Sequence, residues 1–227
     1  MVISAIGRFL KARKEAWEAF AQQVGGQFHH GAFFQNSYDQ VTIEEGNWIY
    51  LLDHDQEHTP YRVRMRVAFK LTDRNVFPLF SLGEETLFDK IPGFQGVKVG
   101  HSLFDARFCL NAYNREIASD LFSDPVIRDL CLSQPTLKLA LRNSYGLLKY
   151  AFPKGVFELF FIEAGRKIHD PKRLLQIQKL LSEILNHLAK KGIVSRDHPG
   201  IRLRSGPNGN NGEYAWEREP RSSRSLS

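Results

Sequence analysis

Residues 61–70 read Tyr-Arg-Val-Arg-Met-Arg-Val-Ala-Phe-Lys, and their alternation decides the fold class. Tyr61, Val63, Met65, Val67 and Phe69 fall on one side of an extended chain; Arg62, Arg64, Arg66 and Lys70 fall on the other. A period of two with one apolar side predicts a half-buried antiparallel strand, with its basic side toward water. Upstream, Val41–Ile43 and the apolar run Trp48–Leu52 flank Glu44-Glu45-Gly46 and predict two more strands. Downstream, Val76–Leu82 reads as a further strand, with Pro78 marking it as an edge because proline has no amide to give to a ladder.

The chain beyond this hairpin region mixes both periods. Residues 83–103 carry Gly83, Pro92, Gly93, Gly96 and Gly100 and read as irregular, with one helical turn at Thr86–Ile91. Phe104–Leu110 reads as a strand and Asn114–Phe122 as a helix, and Asp124-Pro125 opens a second short helix to Leu132. Thr136–Arg142, Gly146–Phe152 and Val156–Glu163, joined by Asn143-Ser144 and Pro153-Lys154-Gly155, predict an antiparallel meander.

Two long helices bracket these strands. Ile3, Ile6, Leu10, Trp17, Phe20 and Val24 recur at helical spacing until Gly25-Gly26 stops them. Asp170-Pro171 starts the other, in which Leu174, Ile177, Leu180, Leu181, Ile184, Leu185 and Leu188 share a side up to Gly192. The pattern predicts one α+β domain at 1–194, with antiparallel sheet covered by the two terminal amphipathic helices and the pair at 114–132. Strand-rich halves at about 25–100 and 101–194 hint at a duplicated sheet. From Ser195 to Ser227 the composition turns to Gly, Asn, Ser, Pro and Arg, which predicts a disordered tail.

Charge and composition narrow the function classes. The formal net charge is +6 over 227 residues, but residues 1–14 supply +4 and residues 195–227 supply +2. The body, 15–194, balances 21 basic against 21 acidic side chains, which argues against a phosphate-tracking surface and specific nucleic-acid binding. No apolar run reaches the roughly 18–20 residues that a spanning helix needs. Two cysteines make no disulfide framework, so the expected location is the cytoplasm. The basic helix at residues 3–24 would also suit peripheral contact with an anionic membrane.

Two polar groupings are candidates for a site. Asp53, His54, Asp55 and His58 offer oxygen and imidazole donors of the kind that zinc takes; they fall in a stretch that reads as a polar hairpin loop before Pro60. Arg62, Arg64 and Arg66, about 6.6 Å apart along one strand side, could hold an anionic small molecule. The competing reading pairs them with Glu44, Glu45, Glu158 or Glu163 on neighbouring strands. Cys109, with Arg107 on the same strand side, is a weaker nucleophile candidate. The chain has no G-x-S-x-G, H-E-x-x-H or C-x-x-C motif, and GFQGVKVG at 93–100 fits no phosphate loop, so no cofactor is implied.

Phe104-Asp105-x-x-Phe108, the helical stretch Arg115–Leu121, Asp124-Pro125-x-Ile127, the short strands and the terminal helix together resemble a block found in uncharacterised bacterial proteins of the domain-of-unknown-function kind. The resemblance spans roughly Phe104 to Leu188. It implies a bacterial origin and the same architecture, and it brings no catalytic residues. The sequence therefore reads as a non-enzymatic interaction or accessory module with a protein partner. A binder of, or enzyme for, an anionic small molecule is the alternative, and a membrane-peripheral protein a second one.

Overall fold

The computed structural model describes residues 2–31, 39–55, 62–73, 78–84, 93, 95–145, 150–164, 170–203 and 216–218. Among these, the helices are α1 (Val2–Val24), α2 (Ser102–Arg107), α3 (Arg115–Ser123), α4 (Pro125–Ser133) and α5 (Pro171–Lys190). The strands are β1 (Gln27–His29), β2 (Gln40–Glu45), β3 (Trp48–Asp55), β4 (Arg62–Lys70), β5 (Phe80–Gly83), β6 (Gln95–Val97), β7 (Cys109–Ala112), β8 (Lys138–Arg142), β9 (Ser144–Tyr145), β10 (Tyr150–Ala151), β11 (Val156–Ala164), β12 (Ile201–Leu203) and β13 (Trp216–Arg218).

Nine strands join one antiparallel sheet in the order β1-β2-β3-β4-β11-β8-β5-β7-β6, giving an α+β fold. Strands from both halves of the chain meet at its centre, where all nine residues of β11 pair with β4, from Val156↔Lys70 to Ala164↔Arg62. The two halves therefore contribute to a single sheet. Strands β9 and β10, and β12 and β13, form separate two-stranded ladders.

Local chemistry sets the helix ends. Gly25 takes φ +65°, and Gly26 N–H donates back to the Ala21 carbonyl at 2.8 Å, closing α1. Asp124 accepts from the amides of Val126 and Ile127, and Asp170 from that of Lys172 at 3.0 Å, so each aspartate caps a helix that begins with proline. On α5 the leucine and isoleucine positions from Leu174 to Leu188 are buried, while Lys172, Gln176, Lys179 and Lys190 are exposed.

The main hydrophobic core lies on the side of the sheet that faces the helices. Trp17 and Phe20 of α1, Phe122 of α3, Ile127 of α4 and Leu181 and Ile184 of α5 join Tyr50, Leu52, Met65, Val67, Phe69, Leu139, Leu159 and Phe161 in one cluster. On the opposite face, Leu51, Ala68, Phe152, Val156, Ile201 and Leu203 form a second, separate cluster.

Four expectations are corrected. Phe104–Arg107 is helical: His101 caps α2 by accepting from Phe104 N–H, and Phe104 and Phe108, four apart, bring their rings to 5.0 Å. Asp105 accepts from the amides of Val99 and Gly100 at 3.0 and 2.9 Å, which makes it a loop stitch. β5 lies inside the sheet between β8 and β7, with Pro78 just ahead of it where no ladder amide is needed. The meander is broken because β8 and β11 pair directly, and β9 and β10 leave the sheet as a ladder of their own. Finally, residues 195–203 of the expected tail are ordered, with Ile201 and Leu203 buried. The helical turn expected at Thr86–Ile91 lies outside the described residues.

Candidate functional site

The arginine row is the first surprise. Alternation along β3 directs Tyr50, Leu52 and His54 to the helix side and Leu51 and Asp53 to the other. Asp53 stands opposite Arg64 in the ladder, one diagonal step from Arg66, and so meets both guanidinium groups. Arg64 grips it in two-pronged fashion, Nε to Oδ1 at 2.6 Å and Nη2 to Oδ2 at 2.9 Å. Arg66 Nη2 donates to Oδ2 at 2.6 Å, and its Nη1 reaches Glu158 Oε1 at 3.4 Å. Arg142 Nε donates to the other Glu158 oxygen at 3.2 Å and lays its guanidinium over the Phe160 ring at 4.1 Å.

The result is a diagonal line of alternating charge, Arg64–Asp53–Arg66–Glu158–Arg142, across four adjacent strands. Asp53, Arg66 and Glu158 are 0 % exposed and Arg64 is 3 % exposed. Alternation thus separates the two faces correctly, but the basic face is covered. Each buried charge is matched by an opposite one, as the low dielectric requires. Glu158 is one of the partners that the sequence suggested. Glu163 instead pairs with Arg173 of α5, and Glu45 accepts from Gln178 Nε2 at 3.0 Å and from Ser182, so both serve the helix side. Arg62 is half-buried at the end of the row, opposite Asp55 and Ala164, and its Nε has no hydrogen-bond partner among the described residues.

Two of the four proposed zinc donors, Asp53 and His54, point apart. Asp53 and His54 are consecutive residues of a strand and leave it on opposite faces, and β3 runs on through Asp55 where a polar loop was expected. His58 lies outside the described residues. Among the described residues no group of three or more His, Cys, Asp or Glu side chains could hold a metal ion.

His54 occupies an unusual place. Its ring stacks on Trp17 of α1 at 4.8 Å and 14°, it is 5 % exposed, and neither ring nitrogen has a hydrogen-bond partner among the described residues. Burial, reinforced by the nearby Arg13 cation and only partly offset by Asp53 and Asp39, holds its pKa down to about 4. Beside it, Asp39 accepts from Arg13 at 3.1 Å and from Gly31 N–H at 3.1 Å, and contacts His30 at 2.8 Å. Burial opposes ionisation of Asp39, but those hydrogen bonds outweigh it and keep the carboxyl below its ordinary range.

The remaining candidates have structural partners. Arg107 closes the C-terminal end of α4 by donating to the carbonyls of Leu132, Gln134 and Pro135, and it pairs with Glu84. Cys109 is exposed, whereas Cys131 is buried and its thiol is pushed well up by desolvation. His187 bridges Asp120 and Asp124, tying α5 to α3 and the start of α4. Trp17 and Phe20, two of the six residues in the apolar stripe considered for a membrane, are already inside the core. Among the described residues no helix is long and apolar enough to cross a membrane.

Asp53 and Arg142 were missed as members of this network. Extending Trp48–Leu52 by three residues and folding it on Arg62–Lys70 would have placed Asp53 opposite Arg64, so the first was within reach of the sequence. Arg142 depends on β8 lying next to β11, which no local pattern encodes. No family model, curated protein or solved structure matches this chain.

Proposed function

We propose that this chain is a non-enzymatic interaction or accessory module acting in the cytoplasm, with a protein as its partner. The observation that carries the reading is the diagonal charge line. Two of the three arginines that would recognise an anion, Arg64 and Arg66, are bound to Asp53 and Glu158, which ties their guanidinium groups into the scaffold. In this reading the two long amphipathic helices, residues 2–24 and 171–190, serve as the cover of one sheet face, and the module offers its surface to a partner.

The second reading, an anionic small molecule held at the Arg62 end of the row, draws on one observation: the buried Arg62 Nε, without a partner among the described residues, beside a line of three arginines and two carboxylates. Thermal denaturation of the full chain with added phosphate, citrate or a nucleoside triphosphate separates the two. An interaction module melts at the same temperature in each, after matching ionic strength. A saturable rise in Tm with one of them, abolished by Arg62→Gln, would replace the first reading with the second.

A further inference from the structure

The chain leaves α5 on one side of the sheet and reappears on the other. Val194 belongs to the main core and bridges to Leu71, and Ser195 N–H donates to the Lys70 carbonyl at 2.9 Å. The backbone thus rounds the end of β4. Its root there is firm: the Ser195 carbonyl accepts from Trp48 Nε1, the Arg196 carbonyl from Asn47, and Arg196 itself donates to Asn186 at 3.0 Å. Past Arg196 the character changes. Asp197 and Gly200 direct their amides to Ser195 Oγ and His198 Nδ1, bonds internal to the segment, and Gly200 turns with φ +77°. Then Ile201 and Leu203 drop into the cluster of Leu51, Ala68, Phe152 and Val156, while Arg202 between them is exposed.

Two features set this contact apart from the rest of the fold. β12 has its ladder with β13 and is not a strand of the nine-stranded sheet, so it rests on β3 and β4 through side chains. The cluster beneath it is also separate from the main core. An extended segment that inserts alternate apolar side chains into a sheet face, from beyond a glycine turn, shares with bound extended peptides the seating of alternate side chains, while its main-chain hydrogen bonds go to β13.

We propose that residues 197–203 are a displaceable strap, filling from within the same chain a docking groove for an extended partner segment of apolar–polar–apolar pattern. This deepens the interaction-module reading and rests on it. Tethering sets the order of events. A strap joined directly to α5 competes at an effective concentration in the millimolar range, so a free segment binds well only after the strap is dislodged.

The test uses the full chain and a fluorescein-labelled peptide with the sequence of residues 195–207. Anisotropy is measured for the natural chain and for the double variant Ile201→Asp/Leu203→Asp, whose own strap cannot seat. We expect the variant to bind the peptide at least tenfold more tightly, and a peptide carrying the same two aspartates to bind neither. Equal or absent binding with a cooperatively melting variant overturns the proposal. If the variant does not fold, native-state hydrogen exchange of the natural chain decides. Amides of β12 exchanging at least a hundredfold faster than those of Val67 and Phe69 support a strap, and matched rates overturn it. The anion titration described above is independent: a ligand found there removes the module reading, whereas a peptide failure removes the strap alone.

Discussion

Replacing Asp53 with asparagine tests the charge line at its most loaded point. The carboxylate accepts three hydrogen bonds from Arg64 and Arg66, at 2.6, 2.9 and 2.6 Å, inside a site closed to water. Hydrogen bonds to charged groups contribute about 1.5–3 kcal/mol each, and an asparagine carbonyl can retain one of them. Breaking a buried pair from one side costs about 3–5 kcal/mol, because the other charge stays behind without compensation. Here two guanidinium groups stay behind, so we expect a loss near the upper end of that range. Against a total stability of about 5–15 kcal/mol this is a large fraction, and Tm should fall by roughly 10–20 °C. Urea unfolding followed by circular dichroism supplies the number. Glu84→Gln is the control: its pair with Arg107 is about one-third exposed on each side, so it should cost under ~1 kcal/mol. If Asp53→Asn costs no more than that control, the reasoning fails, and the guanidinium groups must be solvated or neutralised by something other than Asp53.

Three further outcomes follow from the geometry. His54 has a folded pKa of about 4 against an ordinary 6.5, so the unfolded chain binds its proton first and stability drains as pH falls from about 6.5 to 4. The effect is on the order of 3 kcal/mol, and His54→Phe should flatten that part of a stability–pH curve; an unchanged slope would show that His54 is not its source. Gly26→Ala would place a methyl 2.7 Å from the Thr42 carbonyl oxygen and 3.2 Å from Ile43 Cγ1, so we expect a loss of about 1–3 kcal/mol in the same urea assay. Cys109 is exposed and Cys131 fully buried, so a thiol reagent should modify one cysteine per native chain quickly and the second only on unfolding; two fast equivalents would place Cys131 wrongly.

What the sequence disclosed depended on how local the cause was. Helix ends at Gly25, Asp124-Pro125 and Asp170-Pro171 are written in residues one to three positions apart, and they appear where those residues predict. The alternation at 61–70 gave the strand and its two faces. It could not give what covers the second face, because period two reports a difference between sides and not the identity of a neighbour. Asp53-His54-Asp55 looked like loop because polar residues are common there, yet Asp53 answers Arg64 and His54 packs as an aromatic ring on Trp17. Phe104 and Phe108 fit either period, and the His101 cap decided for a helix. In the tail, bulk composition outweighed the two apolar residues, Ile201 and Leu203, that anchor it.

The pairing of β4 with β11 also carries a cost during synthesis. Ninety-two residues separate Arg66 from Glu158, so at about 5–20 residues per second a ribosome needs roughly 5–20 s to deliver the second strand after the first. Throughout that interval the nascent hairpin of β3 and β4 would display the unpaired backbone edge of β4, with Val63, Met65, Val67 and Phe69 on the adjoining face, a template for adhesion between neighbouring polypeptides. Holding factors at the exit tunnel would find their most valuable target there, and slow codons between the two strands would lengthen the hazard.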